Sequence, residues 1–353
     1  MKDGKLGFGI IGCGVIGPHH RRAIDAVDDA VLVACSDTDD AASKKFAEEA
    51  GGIRTYSDYE KMVRDDEVDV VCVCTPSGMH GDGVIAAAQA GKHAFCEKPL
   101  EIKRARMTEM IKACRDADVK LGCVFQSRTS PDMQRVQKAV QEGVLGQLTL
   151  GDAYLKDYRS AAYYKSAGWR GTWALDGGGA LMNQGIHGVD QLLWLMGSEV
   201  ESVFARATHL VRDIEVEDTA VACLQYTNGA YGVIEGTTSC NPGETRRVEL
   251  HGKSGSITIA GSKITRWAVT DEEDGRAESV EEQKEAKADG AVGDNKAISS
   301  DGHTYLIDDL CRAIREGRDP FITGESARKG VDLVMAIYES AKTGKDVKLA
   351  DLE

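Results

Sequence analysis

Three stretches of this 353-residue chain carry side chains whose types and spacing could do chemistry. One is Phe95-Cys96-Glu97-Lys98-Pro99, a lysine just past a short apolar run. Another is Gly12-Cys13-Gly14-Val15-Ile16-Gly17, followed about twenty residues on by Asp37. The last leads from Trp169 and Arg170 through Gly177, Gly178 and Gly179 to Asn183, His187 and Asp190. A lysine ammonium stabilises a developing alkoxide. An imidazole titrates near neutrality and suits removal of a hydroxyl proton. Such a pair fits oxidation of a secondary alcohol, and in reverse it polarises and protonates a carbonyl. The Cys and His residues show no zinc spacing, and that chemistry needs no metal.

The glycine hexapeptide is informative through its context. It follows an apolar strand and opens a helix, as a dinucleotide-binding turn requires. Gly12 permits the tight turn, Gly14 admits the pyrophosphate to the backbone, and Gly17 lets helix and strand pack closely. Cys13, Val15 and Ile16 complete the loop, and the helix start offers free N–H groups to phosphate. Asp37 at the end of the second strand would hold a ribose diol and repel a 2′-phosphate. No Arg or Lys stands beside it, so NAD is expected over NADP.

Periodicity supplies the elements that must position these groups. Strands are expected over 6–11, 30–36, 68–74, 94–96 and 120–125, alternating with helices over 17–27, 40–50, 59–65, 80–90 and 104–117. That order predicts an α/β fold with a doubly wound parallel sheet. Ligands of such sheets bind outside the carboxyl ends of the strands. Thr75, Pro76, Ser77 and His80, which follow the third of these strands, are therefore expected along the cofactor cleft, as are Glu97, Lys98 and Gln126. Arg128 is expected at its border. Beyond a helix over 130–142, strands over 148–156, 200–208, 219–226, 230–236, 247–251 and 256–259 run largely without helices between them. Asn228-Gly229 and the glycines at 252 and 255 mark hairpins. A second domain of α+β type follows, with an antiparallel or mixed sheet. One long helix over 180–194 lies inside it and two helices, over 305–315 and 326–343, close it. The division is placed between a cofactor domain, 1–126, and a substrate and oligomerisation domain, 127–353. Residues 271–295, acidic and poor in apolar side chains, read as a surface loop or partly disordered insertion.

On that long helix, Asn183 and His187 are four residues apart and share a face, and Asp190 could orient the His187 ring. Tyr158, Trp169 and Arg170 are candidates for the substrate wall, because aromatic faces pack on sugar C–H surfaces and Arg forks to carboxylate or phosphate. Composition narrows the rest. Hydrophobic content of 42%, charged content of 28% and a net charge of −14 describe an ordinary globular protein with no basic stretch to bind nucleic acid. No apolar run has the length of a membrane helix, and the N-terminus has no secretory pattern. With ten scattered cysteines, mostly in apolar segments, a reducing cytoplasmic setting is expected.

The fingerprint at 12–17, Glu97-Lys98-Pro99, and the glycine-led helix from Gly177 to Asp190 with its histidine occur in one order and spacing. In these features the chain resembles, over essentially its whole length, the glucose–fructose oxidoreductase / inositol dehydrogenase / MocA family. The resemblance implies a Rossmann domain followed by an α+β domain with a large open, mostly antiparallel sheet, through which members form dimers or tetramers. It implies a nicotinamide cofactor and a sugar, sugar-nucleotide or polyol substrate. By position, Lys98 would contact the substrate hydroxyl and the nicotinamide ribose, and His187 would transfer the proton. Asn183 stands where inositol dehydrogenase-like members carry Asp, and so would position the sugar without taking a proton. The expected activity is NAD-dependent oxidation of a secondary ring hydroxyl to a ketone. A UDP-N-acetylglucosaminuronate 3-dehydrogenase or an inositol dehydrogenase is the nearest alternative. A glycosidase or lyase working by transient oxidation, or an NAD(H)-binding sensor, is the alternative of another class.

Overall fold

The computed structural model describes residues 4–272, 275–277, 279–282 and 300–352. Most of the expected acidic loop over 271–295 lies outside the described residues; its described part includes a short strand, Ser279–Glu282. In chain order the first elements are β1 (Leu6–Ile11), α1 (Gly17–Asp25), β2 (Ala30–Ser36), α2 (Asp40–Glu49), β3 (Arg54–Tyr56), α3 (Tyr59–Met62), β4 (Val70–Val73), α4 (His80–Gln89), β5 (His93–Cys96), α5 (Arg104–Asp116) and β6 (Leu121–Cys123). Then come α6 (Pro131–Gln141), β7 (Leu148–Lys156), α7 (Ala161–Lys165), α8 (Ile186–Met196), β8 (Val200–Thr208), β9 (Thr219–Tyr226), β10 (Tyr231–Thr237), β11 (Arg247–Gly252), β12 (Gly255–Ala260), β13 (Lys263–Val269) and β14 (Ser279–Glu282). The chain closes with α9 (Asp301–Glu316), α10 (Gly324–Thr343) and β15 (Val347–Lys348).

Two compact units result: Met1–Gln126 with Ser299–Arg328, and Ser127–Ile298 with Lys329–Glu353. The single division expected at 126/127 therefore needs correction, because 299–328 returns to the first unit. The physical reason is the apolar face of α9, where Leu306, Ile307, Leu310, Cys311 and Ala313 are buried as the helix packs on α1. Beyond it, Cys123 N donates to Ile322 O at 3.1 Å, stitching the returning chain to β6.

The first unit is a parallel sheet in the order β3-β2-β1-β4-β5-β6. Its central strands β1 and β4 are buried throughout, which is why they read as unbroken apolar runs. The order reverses between β1 and β4, the switch point at which such sheets bind nucleotides. β3 and the pairing of its three residues with β2 were not anticipated; two of those residues are exposed and carry no apolar signal.

The second unit is a sheet of nine described strands in the order β14-β13-β12-β11-β7-β10-β9-β8-β15. Its pairings are antiparallel except β7 with β10. The long helix expected over 180–194 is two pieces, a π-helical turn Ala180–Gly185 and then α8. Gly188 lets α8 lie close on β7, since a Cβ there would meet Leu155 Cδ2 at 2.1 Å. Among the described residues no helix is long and apolar enough to cross a membrane.

Candidate active site

In the first unit the predicted cofactor residues gather at the carboxyl ends of neighbouring strands. The glycine loop follows β1, Asp37 follows β2, Thr75 to Ser77 follow β4, and Lys98 follows β5. Gly12 has φ +98°, and a Cβ on it would stand 2.7 Å from Cys74 O, so only glycine makes this turn. A Cβ on Gly14 would meet nothing within 4 Å. The backbone there is bare and approachable, as a pyrophosphate requires. α1 opens with Ile16 at its N-cap and no capping side chain, so the helix start is open to an anion. Asp37 does two things at once. Its oxygens accept from Cys13 N at 2.8 Å and Asp39 N at 2.9 Å, fixing the loop, and a carboxylate retains lone pairs for a ribose diol. These residues fit a nicotinamide dinucleotide.

Lys98 is half-buried between two residues that are tied inward. On one side, the buried Glu97 carboxylate accepts from His20 Nε2 at 2.7 Å, and His303 Nε2 lies 3.3 Å from the same oxygen. Its second oxygen accepts from Lys98 N at 3.2 Å. Burial pushes this carboxyl up, but the hydrogen bonds and charge of the two rings outweigh it and hold it well below the usual range. Burial in turn pushes the His20 ring down. The trio has the composition of a two-His, one-carboxylate metal set. However, both Nδ1 atoms are buried with no hydrogen-bond partner among the described residues. A metal at Nε2 would force a proton onto each, creating two unpaired buried N–H groups. Tautomers that donate from Nε2 to Glu97 avoid that cost.

On the other side, His80 is buried with Nδ1 2.8 Å from Pro99 O and Nε2 3.0 Å from Thr75 O. The side chains of Glu97 and His80 therefore serve the protein's interior rather than the cofactor cleft expected for them. Both sit at the right strand ends, but polar atoms at those depths are drawn to the nearest partner in the chain. His20 and His303 were not anticipated as partners; His303 is distant in sequence and joins only because 299–328 returns. Ser77 is buried, Thr75 and Pro76 are half-buried, and Gln126 lies in a short helical turn, Gln126–Thr129.

In the second unit His187 is the second residue of α8 and is buried. Asn183 lies in the π turn, where Gln184 N reaches back five residues to Gly179 O at 3.2 Å. Asn183 and His187 thus stand on either side of the junction between the π turn and α8. The Asn183 amide donates to the buried Asp176, whose other oxygen accepts from Gly171 N at 2.7 Å. Asp176 was missed, though it stands immediately before the three glycines. Asp190 does not orient His187: it is buried against Arg128, whose Nε donates to it at 2.9 Å. Burial pushes the Asp190 carboxyl up, and Arg128 opposes this only in part. Arg128 is accordingly a buried residue of this unit.

Tyr158, Trp169 and Arg170 belong to a basic and aromatic group. Arg170 lies 4.2 Å from the Tyr163 ring centre and 4.7 Å from that of Trp169, and it donates to Tyr163 Oη. Gln184 Nε2 donates to the same phenol at 2.7 Å, and Gln184 Oε1 accepts from Arg159 Nε at 2.9 Å. Arg212 lies 5.2 Å over Tyr158. The Nε atoms of Arg170 and Arg212 are buried without a hydrogen-bond partner among the described residues.

Residues 6–125 match an oxidoreductase family with an NAD-binding Rossmann fold, and residues 133–258 match the GFO/IDH/MocA C-terminal domain. The myo-inositol 2-dehydrogenase of Thermotoga maritima is 29% identical over 98% of this chain and 99% of its own. The levoglucosan dehydrogenase of Pseudarthrobacter phenanthrenivorans is 30% identical over 72% of this chain and 73% of its own. The crystal structure of the WlbA dehydrogenase from Bordetella pertussis, in complex with NADH and UDP-GlcNAcA, superposes with a TM-score of 0.86 at 32% identity. It covers 99% of this chain and 100% of that one. With both domain families matched in order on a Rossmann unit and an open sheet unit, the chain belongs to the Gfo/Idh/MocA family of oxidoreductases.

Proposed function

We propose that this chain oxidises a secondary ring hydroxyl of a sugar that bears an anionic substituent, a uronate carboxylate or a nucleotide diphosphate. The chain is an NAD-dependent dehydrogenase of the sugar and polyol class. The anionic substituent is carried by one observation, the two guanidinium Nε–H groups of Arg170 and Arg212 buried without partners in a cluster with Arg159. A donor left unpaired in the interior is costly, and a carboxylate or phosphate oxygen would satisfy it. The WlbA relative, bound to UDP-GlcNAcA, supports the same class.

Bound NAD supplies a hydride acceptor for the carbinol carbon. The His187 imidazole takes the hydroxyl proton, and the Lys98 ammonium stabilises the alkoxide as the carbon–hydride bond breaks. Asn183, anchored on Asp176, presents its amide to a neighbouring sugar hydroxyl. Asp37 selects NAD by repelling a 2′-phosphate. Copies of the chain associate through the outer face of the large sheet, and ten cysteines without a disulfide among them suit a reducing cytoplasm.

Arg170→Ala tests the anionic substituent. It should raise KM for a uronate or UDP-sugar at least about tenfold, the loss of one charge-assisted hydrogen bond, while leaving a neutral polyol unchanged. Equal effects on charged and neutral substrates would return the assignment to neutral polyols, the class of the inositol dehydrogenase relative.

A further inference from the structure

We infer that His80 donates a hydrogen bond from each ring nitrogen, and that it is a positioning residue for Lys98. The ring is 1% exposed. Nδ1 lies 2.8 Å from Pro99 O and Nε2 lies 3.0 Å from Thr75 O. A carbonyl oxygen only accepts, so each contact needs an N–H. A neutral imidazole has one, and its bare nitrogen would face the other oxygen lone pair to lone pair at hydrogen-bond distance. A ring carrying both protons makes both contacts attractive and charge-assisted.

The two carbonyls belong to segments that matter. Thr75 ends the chain leaving β4, and Pro99 directly follows Lys98. His80 is therefore a bridge between two neighbouring strand ends, anchored at the start of α4. Lys98 is gripped twice, by His80 through the Pro99 carbonyl and by Glu97 through its own amide. Charged residues on the neighbouring segments have partners of their own. Glu101 is buried and accepts from Gly81 N at 3.0 Å, one residue along from His80. Asp82 of α4 and Arg106 of α5 pair with each other, and Lys98 itself precedes Pro99.

The inference rests on Lys98 as the reacting cation, so its test separates the two. In protein labelled with nitrogen-15 at histidine, the His80 ring is assigned by proximity to the Thr75 and Pro99 carbonyls, which needs no variant. Both ring nitrogens should resonate as protonated at neutral pH; one bare nitrogen would overturn the double donation. In kinetics, His80→Gln reaches one carbonyl at most. It should lower kcat at least about tenfold with KM for NAD and sugar moving less than about threefold, because a displaced ammonium is missed chiefly in the transition state. An unchanged kcat, or KM rising in step with the loss, would show a merely structural ring. Lys98→Ala runs alongside. If it keeps full activity, the reading of Lys98 fails, and with it the positioning role. If it is inactive while His80→Gln is not, only the role given to His80 fails.

Discussion

Lys98 is held by neighbours whose protonation makes the first unit acid-sensitive. Burial holds the His20 ring below its ordinary 6.5, while the His20 and His303 rings hold Glu97 below its ordinary 4.5 in spite of burial. Unfolded, each group binds its proton at the ordinary value; folded, only at lower pH. Their contribution is thus complete above about pH 6.5, and falls as the medium acidifies, first through His20 and then, below about pH 4.5, through Glu97. His20→Gln keeps a donor to Glu97 but cannot titrate. Its denaturation midpoint should fall less steeply than that of the unaltered protein between about pH 7.5 and pH 5. Parallel slopes would mean that His20 protonates freely in the folded state. Asp37 stands at the end of β2, where the sequence puts it, but its hold on the glycine loop was not legible there. Asp37→Ala should raise the NADP to NAD activity ratio, and because Cys13 N loses its acceptor, affinity for both cofactors should drop. An unmoved ratio would contradict the ribose contact.

At the scale of elements, the buried pair of Arg128 and Asp190 fixes the start of α6's segment to α8 within the second unit. Arg128→Met leaves a carboxylate buried alone and should cost about 3–5 kcal/mol, read from denaturant midpoints. Adding Asp190→Leu should recover much of that loss; no recovery would mean the pair is not the source. The same helix shows where sequence reasoning reaches and stops. The strands β7, β8 and β9 were legible to the residue, because runs rich in apolar and β-branched residues bounded by turn residues mark strands. The glycine fingerprint was legible because it stands between a strand and a helix, where the structure places it at the end of β1. The π turn was not, since the sequence carries the same apolar spacing either way and only the five-residue hydrogen bond distinguishes it. Asp190 looked like a partner of His187 because three residues separate them. Arg128, sixty-two residues away, claims it instead, and no local spacing reveals a contact of that range.

In the whole molecule, the proposed association of copies through the large sheet draws on exposed apolar side chains of its strands. Leu150, Phe204, Val221 and Tyr231 are 40–59% exposed on strands that lie side by side in the sheet. Exposed apolar side chains gathered on a sheet favour association through it. Val221→Lys should shift sedimentation toward the monomer at low protein concentration, while an unchanged distribution would place any interface elsewhere. The return of 299–328 to the first unit has a consequence of the same scale, since His303 completes the Glu97 cluster only when that segment is in place. The account as a whole turns on one reaction. Purified protein should be given NAD with a panel of uronic acids, UDP-sugars, neutral pyranosides and inositols, and NADH absorbance followed, with Lys98→Ala and His187→Ala in parallel. The account predicts NADH from an anionic sugar, reduced at least about a hundredfold in each variant, the usual scale for a lost acid–base or electrostatic group. NADH formed at an undiminished rate by either variant, or NAD bound with no sugar oxidised, would contradict it.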